Sequence, residues 1–325
     1  MENKDRLATH KKDQRIEDIL LELEMYLSPV QKSINQDVVD VDKPIVFIVG
    51  CARSGSTALL QYLSETNQFC YPSNIMSRFY YAPYIGARIH QLLIDHDTKN
   101  EMSFHKSTGQ HTSNLGKTSG ADSPHEFWYF WRRYFKFDEI QKLTDDRLSL
   151  IDSESFIKDL CSIQAAFDKP LVMKAMNMNW NISYLHKILP KAYFIHIERD
   201  VAYNAQSLLL ARQRFFGDLN KWYSFKPPEY DEIKKLSPEE QVASQVVLTN
   251  SAISEQLRQL PSDRYKTISY ASFCSDPQTT LHDILQRIGI AQEIEESNQL
   301  VNGNKIKVGA EQWNLIKNAC LKINQ

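Results

Sequence analysis

Gly50, Gly55, Ser56 and Thr57 stand on the spacing of a phosphate-binding loop, directly after the apolar run 45–49. In such a loop a lysine normally precedes the hydroxyl residue. Here Ser56 holds that place, and the nearest cation is Arg53, inside the loop. A helix that opens on a glycine turn presents unpaired backbone N–H groups and the positive end of its dipole to an oxyanion. The turn Cys51, Ala52, Arg53, Ser54, Gly55 would wrap such a group, and Ser56 and Thr57 would add hydroxyl donors. Losing the lysine argues against a nucleoside triphosphate whose β- and γ-phosphates are bridged by Mg²⁺. It fits a ligand with a shorter 5′ group that needs no metal.

These residues need a scaffold. The run IVFIV is short, fully apolar and β-branched, which suits a central parallel strand buried on both faces. Strands are also expected at 170–174, 192–197 and 265–270. Helical patterns lie at 155–167, 181–188, 201–214 and 238–260. Strands alternating with helices predict an α/β domain with a mostly parallel central sheet flanked by helices. Apolar residues at 16, 19, 20, 23 and 27 predict an amphipathic helix that ends near Pro29. It docks on the domain, or on a second subunit in a homodimer. We therefore divide the chain into an N-terminal helical extension, 1–43, and a domain, 44–325, with a polar loop or lid at 98–124.

Composition excludes several classes. The formal charge is −2, with no electrostatic footprint for nucleic acid. The five cysteines are scattered, which argues against a disulfide framework or structural zinc and fits a reducing compartment. No signal peptide and no apolar run long enough to span a bilayer is visible, so a soluble cytoplasmic protein is expected. Five of the nine histidines fall between 90 and 125 without zinc-ligand spacing, so no metal is expected.

The stretch FIVGCARSGSTALLQYL resembles the 5′-phosphosulfate loop of the PAPS-dependent sulfotransferases. LPKAYFIHIERDVAYNAQSLLLAR is similar to their 3′-phosphate element, with Arg199 and Ser207 on the family's spacing. YKTISYASFCSDPQTTLHDILQRIGI is similar to the stretch whose tyrosine, here Tyr270, lies near the adenine. The resemblance spans 45–290 and implies a P-loop-like sulfotransferase core with PAPS as co-substrate, PAP as product and no metal. Arg199 follows an apolar strand, so it should emerge where α/β sheets bind ligands, able to hold a phosphate bidentately. A salt bridge to Glu198 or Asp200 is the plainer alternative. Lys174 matches the family's lysine and, with Arg53, would serve the 5′ side.

Both family positions for the general base are vacant. Met176 stands at one, and Ser73 and Asn74 at the other. Glu126, beside Phe127, Trp128 and Trp131, is the best remaining candidate, because apolar rings should raise its pKa. The alternative is a capping box with Ser123 as N-cap. His125 follows, then His105 and His111. Phe127, Trp131 and Phe135 read as a core stripe. Trp128, Arg78, Arg132 and Arg133 are left to meet a small-molecule or glycan acceptor, with a carbohydrate or glycolipid hydroxyl the first choice. Lys305 and Lys307 are expected on a surface segment. Two other functions remain open at this point: a nucleotide kinase or NTPase with a degenerate loop, and a non-catalytic PAP-binding module.

Overall fold

The computed structural model describes residues 6–7, 11–38, 43–99, 101, 104, 113–114, 117–290 and 300–323. Strands β1 (Ile45–Val49), β4 (Leu171–Lys174), β5 (Tyr193–Glu198) and β6 (Tyr265–Ser269) form one parallel sheet in the order β4-β1-β5-β6. Strands β2 (Ser113–Asn114) and β3 (Lys117–Thr118) pair separately as a short hairpin. Successive residues of β1 face opposite sides. Phe47 and Val49 pack with Trp131, Phe156, Met173 and Phe194 on one side. Val46 and Ile48 pack with Leu59, Leu63, Ile195 and Phe273 on the other. All five residues are buried, which is why the run is apolar without alternation.

Register decides what the sheet presents. Ile48 pairs with Lys174, Val49 with His196, and Glu198 with Ser269. The carboxyl ends of the four strands therefore share one edge. The glycine loop, Lys174, Arg199 and Tyr270 leave the sheet together, at the edge where parallel sheets hold ligands.

The expected helices form at Ser153–Phe167, Ile182–Ile188, Val201–Phe216 and Pro238–Leu257. The N-terminal helix differs. It runs from Gln14 to Asp37, through Pro29 rather than up to it. A proline removes one N–H from the ladder and crowds the carbonyl one turn back. Here that carbonyl belongs to Met25, on the helix's exposed side, where water can take the freed bond. Beyond the proline the helix is tied to Ser153–Phe167: Gln31 Nε2 donates to Ser162 Oγ (3.2 Å) and Asn35 Nδ2 to Asp159 Oδ1 (2.7 Å). Among the described residues no helix is long and apolar enough to cross a membrane. All five cysteines are buried thiols outside any disulfide.

Candidate active site

The helix Ser56–Glu65 opens on Gly55 at φ +105° with no side chain capping it. Its first-turn N–H groups are thus left to the loop. The loop is locked from behind. Asn179 Nδ2 donates to Gly50 O (2.9 Å), Gly50 N donates to Asn179 Oδ1 (3.3 Å), and Asn204 Nδ2 donates to Ala52 O (2.8 Å). Cys51, Ala52 and Ser54 are buried, and the Ser54 hydroxyl has no partner among the described residues. An unmet buried hydroxyl is costly, and this one lies within the loop itself. A Cβ at Gly55 would stand 2.3 Å from Cδ2 of Tyr270. Gly55→Ala is therefore expected to cost about 2–4 kcal/mol, from the left-handed backbone and the overlap together. The midpoint of urea unfolding measures it.

The cation missing from position 56 arrives from the neighbouring strand. Lys174, only 3% exposed, donates through Nζ to Thr57 Oγ1 (2.6 Å) and to Glu126 Oε1 (2.9 Å). Trp128 Nε1 donates to the other oxygen, Glu126 Oε2. Burial pushes the Glu126 carboxyl up, but the charge and hydrogen bond of Lys174, helped by His125 and Trp128, outweigh it and hold the group below its ordinary value. The expected rise does not occur, because apolar rings are only part of the surroundings and a lysine lies within hydrogen-bond reach. The capping box does not form either. The helix begins at Trp128, after Phe127 at φ +55°, and the Ser123 hydroxyl bonds to Ser119 O.

Glu126 is carried on a strap. Asn74 N donates to Ser123 O (2.9 Å), Ile75 N to Ala121 O (2.9 Å), His125 N to Pro72 O (2.8 Å) and Asn74 Nδ2 to Gly120 O (2.8 Å). The segment at Pro72–Asn74, which lacks a family base, thus holds the chain that bears the carboxylate. His125 is half-buried, and its Nδ1 accepts from Phe127 N (2.9 Å). His105 and His111 lie outside the described residues. Phe127, Trp131 and Phe135 are core. Of the arginines expected to face an acceptor, Arg78 and Arg132 are exposed, whereas Arg133 is spent on an ion pair with buried Asp159 (2.9 Å).

A second group lies at the ends of β5 and β6. Arg199 makes no ion pair with its neighbours; Asp200 instead caps the helix Val201–Phe216, accepting from Ala202 N and Tyr203 N. The Arg199 guanidinium donates to Asn304 Oδ1 (2.7 Å), Gly303 O (2.8 Å) and Arg53 O (3.3 Å), and lies 5.0 Å from the ring centre of Tyr270. The Tyr270 hydroxyl accepts from Gly303 N (3.1 Å). Arg53, at φ +70°, turns its Nε to Ser207 Oγ (3.2 Å), so it joins this group rather than standing with Lys174. The Lys305 and Lys307 side chains are exposed, and the backbone there is held by Gln206.

Beside Glu126 and Lys174 a narrow cleft is lined by these two with Trp128, Met176 and Asn177. The Met176 sulfur accepts from Ser56 Oγ (3.1 Å). Tyr223 stands in the field of both Arg53 and Glu126, and Phe225 packs 5.4 Å from Trp128. A buried lysine on an anion loop beside an ionised carboxylate can stabilise a leaving oxyanion and take a proton within one cleft. Among the described residues no group of three or more His, Cys, Asp or Glu side chains is placed to hold a metal ion.

A profile of the sulfotransferase family matches residues 44–294. The chain belongs to the sulfotransferase family. Two solved sulfotransferases share its fold. One, from Mycobacterium avium, has TM-score 0.54 at 14% identity, covering 99% of this chain and 79% of its own. Another, from Mycobacterium tuberculosis, has TM-score 0.52 at 14% identity, covering 83% and 73%. No curated protein matches the sequence. This sulfotransferase is thus an enzyme with a P-loop-like α/β core, reached with little sequence identity to those solved structures.

The sequence reading missed Gly303, Asn304, Tyr223 and Asn179. Tyr223 carries no local signal, since its position depends on how residues 217–230 fold back. The asparagines do carry one. Asn177, Asn179 and Asn181 alternate directly after β4, and so many amides beside a buried strand must each find a use.

Proposed function

We propose that this enzyme transfers the sulfuryl group of PAPS to a hydroxyl on a small-molecule acceptor, with Glu126 as the general base. The observation that carries the reading is the placement of Lys174, within hydrogen-bond reach of both the loop hydroxyl of Thr57 and the Glu126 carboxylate. When bound, PAPS supplies the activated sulfuryl group and PAP is the leaving group. The fit is supported by the unmet Ser54 hydroxyl and the uncapped helix start at the loop. The backbone from Cys51 to Thr57 holds the 5′ end, Arg199, Arg53 and Ser207 take the 3′-phosphate, and Tyr270 meets the adenine. The acceptor oxygen forms its bond to sulfur as the bond from sulfur to the leaving oxygen breaks. Its proton passes to Glu126, and Lys174 neutralises the leaving oxygen.

The acceptor we favour is a carbohydrate or glycolipid hydroxyl, supported by the ring of Trp128 at the cleft, whose face can stack on a sugar. A reducing, cytoplasmic setting is supported by the five cysteines outside any disulfide.

Thermal denaturation with increasing PAP, set against Mg²⁺–ATP, tests the co-substrate. A ligand that binds only the folded chain raises its stability by RT ln(1 + [L]/Kd). A saturable rise with PAP and none with Mg²⁺–ATP is expected. The reverse pattern would replace sulfuryl transfer with phosphoryl transfer.

A further inference from the structure

Asn177 is 3% exposed, lines the cleft beside Glu126 and Lys174, and has a side-chain nitrogen with no hydrogen-bond partner among the described residues. It lies in the short 3₁₀ turn Met176–Met178 that follows β4. Its neighbours in the sequence show what such amides do when structural. Asn179 brackets Gly50 with both ends of its amide. Asn181 accepts from Leu143 N (3.0 Å) and donates to Gln141 O (2.9 Å). Asn177 does no comparable work. A buried donor left unmet destabilises the free protein, and such groups persist where a bound partner completes them.

We propose that Asn177 is an acceptor-binding residue, whose amide N–H donates to the acceptor oxygen beside Glu126. The inference rests on the sulfuryl-transfer reading above. An acceptor hydroxyl gives its proton to Glu126 and turns one lone pair to sulfur. Its second lone pair needs a donor on the cleft wall. Lys174 spends two of its three N–H groups on Thr57 and Glu126 and in this reading keeps the third for the leaving oxygen, and Trp128 Nε1 donates to Glu126. Among the groups that line the cleft, Asn177 supplies the unspent donor. The bond selects an acceptor with an accessible oxygen over an apolar one of the same shape, because a cleft built to donate rejects a ligand that cannot accept.

Asn177→Leu, close in size and without polar atoms, tests this on two axes. The free variant should unfold at a temperature equal to or a few degrees above the wild type, because the unmet donor is gone. Its PAP stabilisation should be retained. Release of radiolabelled sulfate from PAPS, with water as the acceptor, should fall on the order of 10–100-fold. Asn177→Ala, which removes the donor and adds neither charge nor bulk, should also retain PAP stabilisation and lose release if the leucine variant does not fold. A marked loss of stability in both variants would make Asn177 a structural amide and overturn the proposal. So would sulfate release equal to wild type in either. If the wild-type chain shows no PAP stabilisation, the sulfuryl-transfer reading fails first and takes this inference with it. PAP stabilisation with unchanged release sinks the Asn177 role alone.

Discussion

Glu126→Gln should lower turnover by about 10²- to 10⁴-fold while leaving PAP stabilisation within error of the wild type, as removal of a general base requires. The amide keeps the shape, and its oxygen can still accept from Lys174 Nζ, which holds the loop hydroxyl of Thr57; the bond from Trp128 Nε1 is lost, because the amide NH2 only donates. The pH dependence gives the sharper signature. Burial, the largest single influence, raises the Glu126 carboxyl, but Lys174, His125 and Trp128 together lower it by more, and the folded pKa ends below its ordinary value. The basic form is therefore fully present at neutral pH. Activity that depends on it is lost only as pH falls through that depressed value. Lys174→Met removes the main opposing charge and leaves burial countered only by His125 and the Trp128 hydrogen bond. The Glu126 pKa then rises, and the acid limb of kcat/KM moves up with it. The stability effect has the same origin. A depressed carboxylate contributes stability that is present above its unfolded pKa and lost as pH falls through the folded one. In Lys174→Met that contribution disappears, and a carboxylate without its partner costs about 3 kcal/mol near neutrality. An acid limb unmoved by Lys174→Met would mean that another group takes the acceptor proton.

Three strands of the sheet were legible as mainly apolar runs buried on both faces, whereas β6, YKTIS, is partly exposed at the sheet's edge. The four main helices were legible from their periodicity, with ends within three residues. The N-terminal helix was misread at Pro29, because a proline stops a helix only where its lost bond cannot be replaced, and exposure at Met25 is a tertiary fact. The start of the aromatic helix was misread for a similar reason. Ser123 is the right residue type for a cap, but the strap to Pro72–Asn74 takes up the backbone of 121–125 before a helix can begin.

The site divides along the same line. The loop's residues are adjacent in sequence, so their spacing carried the information. Lys174 and Glu126 are 48 positions apart, and their pairing depends on two segments meeting at one edge of the sheet. Residue types beside Glu126 suggested an apolar pocket and a raised pKa. The partner that reverses the sign is far away in sequence and invisible to local reading. Ser56 in place of lysine pointed to a different polyanion. It did not reveal that the positive charge is supplied from β4, which the Ile48–Lys174 register fixes.

Arg199→Ala should weaken PAP by about 10²- to 10³-fold, the loss expected when a bidentate, charge-assisted pair to a phosphate is removed. Burial, the largest influence on its pKa, already disfavours the free guanidinium's charge, so a phosphate is a better partner for it than the carbonyls it now meets. Arg199→Lys keeps the charge and loses the planar fork, and should fall between the two. The comparison that isolates the 3′-phosphate uses adenosine 5′-phosphate, which lacks it. Wild type should bind PAP far more tightly than adenosine 5′-phosphate, and Arg199→Ala should bind the two alike. Three of the arginine's hydrogen bonds go to Asn304, Gly303 and Arg53 O in the free chain, so phosphate binding exchanges them. Asn304→Ala removes one competitor for the guanidinium without touching its charge. It should leave PAP affinity equal or slightly improved. If Asn304→Ala weakens PAP as much as Arg199→Ala does, the arginine acts by anchoring residues 302–305 rather than by holding the phosphate. Calorimetric titration of the four proteins with both nucleotides separates these outcomes.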